Sequence, residues 1–310
     1  MTPFERILTL TAHEKEPLSL FFAYSSRSIF FLQHSLQLDS KSFLCYCSRA
    51  ALEHQNRGGE REREKTVTAR LIIFLDDGGV LNDNRARGLQ WQRLVGEYFV
   101  PLLGGSAEAW SRANRVVANR LFEPGAWRKS LQAAADYRSF DRAYQVEWLR
   151  GMCELVGIET PPEEECLRLA RRAAAFITRR VHAAFPGVVD TIRTLHRQGY
   201  PLHTASGESS LELEGYLQAM GVRDCFGRLY GPDLIETLKE GPEYYERIFA
   251  DLGIAAAEAL VVDDSADALG WASQLRAATI LVSSSLHRAT STNPQLESLT
   301  ELPAFLQRRQ

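Results

Sequence analysis

The run Leu71-Ile72-Ile73-Phe74-Leu75 is apolar at every position and stops abruptly at Asp76-Asp77-Gly78-Gly79. A strand buried on both faces of a parallel sheet has this profile. From about 86 to 184 no comparable run occurs. Apolar residues recur there at three- and four-residue steps over Gln90 to Phe99, Ala107 to Phe122, Phe140 to Val156 and Cys166 to Phe185. That period predicts amphipathic helices. Thr160-Pro161-Pro162-Glu163 marks the start of the last one, with Thr160 accepting a bond from a free amide, proline in the first turn and Glu163 reaching back.

After Pro186-Gly187 the texture alternates. A helix over Val188 to Gln198 leads to a strand over Tyr200 to Ala205, then to a helix over Leu211 to Met220 and a short strand near Arg228 to Tyr230. A helix over Glu243 to Leu252 precedes a second wholly apolar strand, Ala259 to Val262, which ends in Asp263-Asp264. A helix through Trp271 and a strand over Ala278 to Val282 complete the series. Alternating strands and helices imply a parallel sheet covered on both faces. The expected fold is therefore α/β, a Rossmann-like parallel sheet with helices on both faces, plus an all-helical cap inserted after the first strand. The expected domains are 67–85 with 185–310 for the core and 86–184 for the cap. Residues 1–66 have a different texture and end in Gly58-Gly59 and the charge run Glu60 to Lys65, so they read as a poorly ordered extension or a small appendage.

Composition narrows the class. With 45% hydrophobic and 24% charged residues the chain of 310 is an ordinary globular protein of about two domains. A formal charge of -3 argues against a broad nucleic-acid surface. The apolar stretch Leu18 to Leu32 is split by Ser25-Ser26-Arg27-Ser28, and neither half approaches the ~20 residues a membrane span needs. No cleavable leader is evident, so a cytoplasmic location is expected, without membrane or nucleic-acid partners. Five scattered cysteines suit a reducing compartment. Cys45 and Cys47, near His34 and His54, lack the spacing of a zinc knuckle and read as small apolar residues.

Ligands of open parallel sheets gather at the carboxyl ends of strands. Those ends carry Asp76, the segment Thr204-Ala205-Ser206-Gly207, and the pair Asp263-Asp264, while Lys239 stands in a loop before the helix that feeds the last of these strands. Three converging acids would repel one another, and a divalent cation with a preference for oxygen ligands, Mg²⁺, is the simplest remedy.

In this order the motifs resemble those of the haloacid dehalogenase (HAD) superfamily of hydrolases, over about residues 71–307. Asp76-Asp77-Gly78-Gly79-Val80-Leu81 is similar to the family's D-x-D-G-[VT]-L, and Thr204 to its strand-end hydroxyl. Lys239-Glu240-Gly241-Pro242-Glu243-Tyr244-Tyr245 is similar to its lysine motif, and Asp263-Asp264-Ser265 to its acidic pair. The resemblance implies Asp76 as nucleophile and Thr204, with the backbone after it at Ala205 and Ser206, holding phosphoryl oxygens. It implies Lys239 neutralising charge, and Mg²⁺ held by Asp76, the Gly78 carbonyl, Asp264 and, through water, Asp263. The implied substrate is a small phosphorylated metabolite. Neither its identity nor the oligomeric state is encoded in a motif.

One position departs from the family. Its phosphatases carry a second Asp two residues after the nucleophile, as general acid and base, and here Gly78 stands there. Loss of such a group typically costs 10²–10⁴ in rate. Good leaving groups such as acyl phosphates therefore fit better than alkyl phosphates. Asp83 in the following flap is a candidate substitute. Two alternatives follow from the departure: a phosphonate hydrolase of the phosphonoacetaldehyde type, for which the single cap lysine, Lys129, would form a Schiff base, and a HAD-like binding protein without turnover. Retention of Asp263-Asp264 argues against metal-free dehalogenation. Trp91, Trp110, Trp127 and Trp148 are expected to be mostly core, and Arg85 and Arg87 mostly surface charge.

Overall fold

The computed structural model describes residues 71–283 and 294–308. The readings made for residues 1–66, including Cys45 and Cys47, lie outside the described residues.

Strand β1 (Ile72–Leu75) is followed by five helices: α1 (Asn84–Leu103), α2 (Ala107–Leu121), α3 (Pro124–Ala133), α4 (Tyr137–Val156) and α5 (Glu163–Thr178). Then come α6 (Val188–Arg197), β2 (Leu202–Ala205), α7 (Ser210–Ala219), β3 (Leu229–Tyr230), α8 (Pro232–Ile235) and α9 (Pro242–Leu252). The series ends with β4 (Ala259–Asp263), α10 (Ala266–Gln274), β5 (Ala278–Val282), β6 (Gln295–Leu296) and α11 (Leu302–Gln307). All strand pairs are parallel, in the order β3-β2-β1-β4-β5-β6. The chain runs outward from β1 through β2 to β3, then returns to the other side of β1 as β4. The strand order therefore reverses between β1 and β4, where α/β sheets open a ligand crevice.

Strand β1 shows why an unbroken apolar run was needed. Ile73 and Leu75 join Val188, Ile192, Leu195, Leu213, Leu217 and Val262 on one face of the sheet. Phe74 points the other way, into Tyr244, Tyr245, Ile248, Val261 and Leu269. The period of two residues in a strand delivers alternate side chains to two separate cores. The inserted helices have a third core of their own, built from Leu94, Phe99, Trp110, Val117, Leu149, Met152, Cys166, Ala170 and Ile177. Trp110 is fully buried there, stacked on Phe99 at a centroid distance of 4.7 Å.

Helix ends follow local chemistry. Asp83 opens α1 by accepting from the amides of Arg85 and Ala86, and Gly157, in the left-handed region at φ 77, closes α4. Helix α5 does not begin as the Thr160 reading expected. Pro162 occupies the cap without a side-chain bond, because Pro161 and Pro162 hold the residues before them extended. Glu163, Glu164 and Glu165 place negative charge at its amino end instead. The helix also stops at Thr178, short of Phe185. Val181 and Ala183 are buried, which prolongs the apolar pattern, but Phe185 donates to Leu81 O and Asp83 to Ala183 O as the chain pairs with the flap that follows β1.

Candidate active site

The β1–β4 register sets the site. Leu75 pairs with Val262, and the Asp76 amide donates to Val262 O at 3.0 Å, so Asp76 and Asp263 leave neighbouring strand ends together. One carboxylate oxygen from each of Asp76, Asp263 and Asp264 lies within 4.8 Å of the others. Lys239, from the loop before α9, reaches between them. Its Nζ donates to Asp76 Oδ1 at 2.8 Å and to Ala205 O at 2.9 Å, and lies 2.6 Å from Asp263 Oδ2. Asp76 Oδ2 is buried without a hydrogen-bond donor among the described residues.

Electrostatically the cluster is unbalanced. Three carboxylates face one ammonium, so full ionisation would leave two negative charges where Asp76 and Asp263 are buried. Burial pushes the Asp76 carboxyl well above its usual range, with Asp263, Glu208 and Asp264 adding to the shift and Lys239 opposing it. Burial alone would lower the Lys239 ammonium, but Asp263 and Asp76 outweigh it and hold it well above the ordinary lysine value. The lysine stays charged, and Asp76 is the group that a further cation would relieve. An all-oxygen donor set with that residual charge fits Mg²⁺.

Gly79 makes this convergence possible. It sits at φ +84, and a Cβ there would overlap the Asp264 carboxylate. The flap turns sharply at this point, with the amides of Leu81 and Asn82 both donating to Asp77 O.

The position left small by Gly78 is not vacant. A Cβ at residue 78 would meet Asn84 Oδ1 at 2.6 Å and Arg87 Nη2 at 2.9 Å. Arg87 is not surface charge, contrary to expectation. It donates to Asp77 Oδ2 at 2.6 Å, pairs with Glu208 Oε1 at 2.7 Å, and keeps a side-chain exposure of only 14%. Asp77, buried and also bonded by Asn82, is pushed up to about 7 by burial against the pull of Arg87. Glu208 moves the other way. Burial would raise it, but Arg87 and the Ser206 hydroxyl hold it below the usual glutamate value.

The remaining sequence-based candidates divide. Thr204 pairs with Leu75 and is fully buried, and its hydroxyl donates to Tyr230 O at 3.4 Å, inside the sheet. The hydroxyl beyond the end of the strand is that of Ser206, bonded to Glu208. The Ala205 carbonyl is taken by Lys239. Asp83 cannot stand in for the missing acid, since its carboxylate caps α1. Lys129 is exposed on α3 and does not line the cavity next to the site, so nothing in its placement favours Schiff-base chemistry. Arg85 is exposed, as expected. Of the four tryptophans only Trp110 is wholly core, while Trp91, Trp127 and Trp148 line that cavity. Arg87, Glu208 and Asn84 were the residues that motif reading missed. The one available signal was a run of polar side chains continuing past the flap into the first turns of a helix.

Comparison with known proteins agrees with this geometry. The sequence profile of haloacid dehalogenase-like hydrolases matches residues 75–270. The chain is 32% identical to the probable phosphatase IndB of Dickeya dadantii over 103 residues, 33% of this chain and 45% of that one. It is 31% identical to the pyrophosphatase PpaX of Halalkalibacterium halodurans over 87 residues, 28% of this chain and 40% of that one. These matches span less than half the length of either relative. Among solved structures, the defluorinating L-2-haloacid dehalogenase Rha0230 superposes with a TM-score of 0.54 at 18% identity, covering 77% of this chain and 95% of that one. The L-2-haloacid dehalogenase of Xanthobacter autotrophicus gives 0.50 at 17%, covering 77% and 98%. At such identities the structures speak for the fold alone. Sheet order, the acids at the β1–β4 crevice and the profile match together place this chain in the haloacid dehalogenase-like hydrolase family.

Proposed function

We propose that this hydrolase is a Mg²⁺-dependent phosphohydrolase that acts on a small phosphorylated substrate through an aspartyl-phosphate at Asp76. The observation that carries the reading is the convergence of Asp76, Asp263 and Asp264 around Lys239. The phosphatase names of the two curated relatives point the same way.

Asp76, Asp263 and Asp264 would hold the metal, with the Gly78 carbonyl, which follows Asp76 in the same turn. When bound, Mg²⁺ supplies positive charge to the nucleophile and to the phosphoryl oxygens. Lys239 fixes Asp76 Oδ1 and adds a second positive charge where negative charge develops, which is the main contribution of a protein to phosphoryl transfer. Ser206, whose hydroxyl lies beyond the end of β2, would take the role expected of Thr204 by turning that hydroxyl from Glu208 to the phosphoryl group. Asp76 attacks phosphorus, and the bond to the leaving oxygen breaks with its electron pair going to that oxygen. Water then attacks the same phosphorus and releases Asp76. Glu208, kept ionised by Arg87 and lining the adjacent cavity, is the base available to take the proton from that water.

The test is phosphate release from acetyl phosphate and p-nitrophenyl phosphate, with Mg²⁺, with EDTA, and in Asp76→Asn. Release that needs metal and Asp76 is expected. Retention of Mg²⁺ and phosphate without turnover would overturn the hydrolytic reading in favour of a binding protein.

A further inference from the structure

A cavity of about 210 Å³ is lined in part by Arg87, Gly207 and Glu208, and Glu208 is bonded to Ser206 just beyond the end of β2. Much of the remaining lining is aromatic and comes from the inserted helices, and Asp141, Gln145 and Glu212 line it as well. Trp127 meets Phe140 edge-on at 4.6 Å, and Phe140 stacks on Tyr144 at 6.4 Å with 21° between the planes. Rings packed this closely form one continuous wall. A flat ring laid against such a wall makes the offset-stacked and edge-on contacts that aromatic side chains favour. Two further rings are fixed in orientation, since Trp148 Nε1 donates to Asn114 Oδ1 at 2.8 Å and Trp91 Nε1 to the Tyr216 hydroxyl at 2.6 Å.

An independent observation concerns the leaving group. With glycine at 78, and with Asn84 and Arg87 filling the space a larger side chain would need, no carboxylic acid is positioned from the β1 turn to protonate the departing oxygen. Glu208 does not substitute as an acid, because Arg87 and Ser206 hold it ionised. Without an acid from the β1 turn, leaving groups that depart as stable anions are favoured, although Asp141 and Glu212 also line the cavity. Phenolates and carboxylates depart in this form readily, while alkoxides do not. The cavity that would receive the departing group is the one walled by rings.

Resting on the phosphohydrolase reading, the geometry points to phosphorylated aromatic compounds as the substrate class: aryl phosphates, or acyl phosphates of aromatic carboxylic acids, with the ring seated against Trp127, Phe140 and Tyr144. In the first step a bond forms between an Asp76 oxygen and phosphorus, and the bond from phosphorus to the aryl or acyl oxygen breaks. The electron pair stays on that oxygen, which leaves as phenolate or carboxylate without needing a proton. Water hydrolyses the aspartyl-phosphate and completes the balance.

Binding and turnover test this separately, on the full chain. Calorimetric titration with phenylphosphonate and methylphosphonate in the presence of Mg²⁺ isolates the ring, since neither is hydrolysed. Ring stacking, with the buried area added, predicts at least about tenfold tighter binding of phenylphosphonate. Trp127→Ala, and Tyr144→Leu as a variant that preserves bulk, should each reduce that ratio severalfold. In turnover, benzoyl phosphate should exceed acetyl phosphate in kcat/KM by a similar factor, mainly through KM, and the same variants should reduce it. Equal affinity for the two phosphonates, or no binding of either, overturns the inference. A preserved phosphonate ratio without phosphate release from any ester upholds the aromatic site and overturns the hydrolytic reading alone.

Discussion

Gly79→Ala isolates what the flap does for the acidic cluster. Two effects act at that position. An alanine at φ +84 carries backbone strain of roughly 1–2 kcal/mol, partly offset by about 0.4–1 kcal/mol from a less flexible unfolded chain. Its Cβ would also overlap the Asp264 carboxylate and force it out of place. Gly253→Ala supplies the control, because Gly253 sits at φ +69 with open space around the added Cβ. The control should lose about 1 kcal/mol or less, a fall in Tm of about 2–4 °C. Both variants share this backbone cost, so metal binding is what separates them. Mg²⁺ at about 100 times its Kd stabilises a folded protein by about 2.7 kcal/mol, and a tenfold loss of affinity cuts that to about 1.4 kcal/mol. Thermal unfolding with and without Mg²⁺ should therefore show the full metal-dependent rise in wild type and Gly253→Ala, and half of it or less in Gly79→Ala. A Gly79→Ala chain with the full rise would refute the claim that Gly79 lets Asp264 reach the site.

Two further outcomes follow from the geometry. Gly78→Asp has to displace the tips of Asn84 and Arg87, so the double variant with Asn84→Ala, which removes the nearer of the two, should release phosphate from an alkyl ester at least about tenfold faster than wild type and faster than the single variant. Equal rates for the single and double variants would show that crowding at residue 78 is not what matters. His203 supplies a pH dependence away from the site. Burial lowers its pKa, Nδ1 accepts from the Arg228 amide at 2.9 Å, and the ring stacks on Phe74. The folded state therefore favours neutral imidazole, and the stability this confers is present above the unfolded value of about 6.5 and is lost as pH falls below it. Urea unfolding between about pH 7 and 5 should show a steeper loss of stability in wild type than in His203→Gln, and equal slopes would contradict the assignment.

How much of this was legible in the chain depended on whether a residue's partners were near it in sequence. The apolar run of β1 ends in acids because a doubly buried strand can carry charge only where it emerges, and β4 repeats the pattern, so both ends of the crevice could be read directly. Lys239 was legible through its motif. Helix α3 was not, because none of its residues is buried and of its apolar residues only Trp127 lines the cavity. Strand β6 is two residues long, too short to show a period. Thr204 lies in β2 and Ser206 just beyond its end, and only the register against β3 shows which hydroxyl the sheet takes up. Arg87 looked like any polar helix residue, since its partners Asp77 and Glu208 lie 10 and 121 positions away. The tryptophans followed helical spacing whether they faced core or cavity, because both are apolar.

The central claim is that Asp76 carries the phosphoryl group. The direct measurement is intact and peptide mass spectrometry on the full chain, quenched with acid during turnover of acetyl phosphate with Mg²⁺. A mass increase of one phosphoryl group on the peptide containing Asp76, lost on borohydride treatment and absent in Asp76→Asn, is the predicted result. Turnover at full rate in Asp76→Asn, or a phosphoryl group on a different residue, would contradict it.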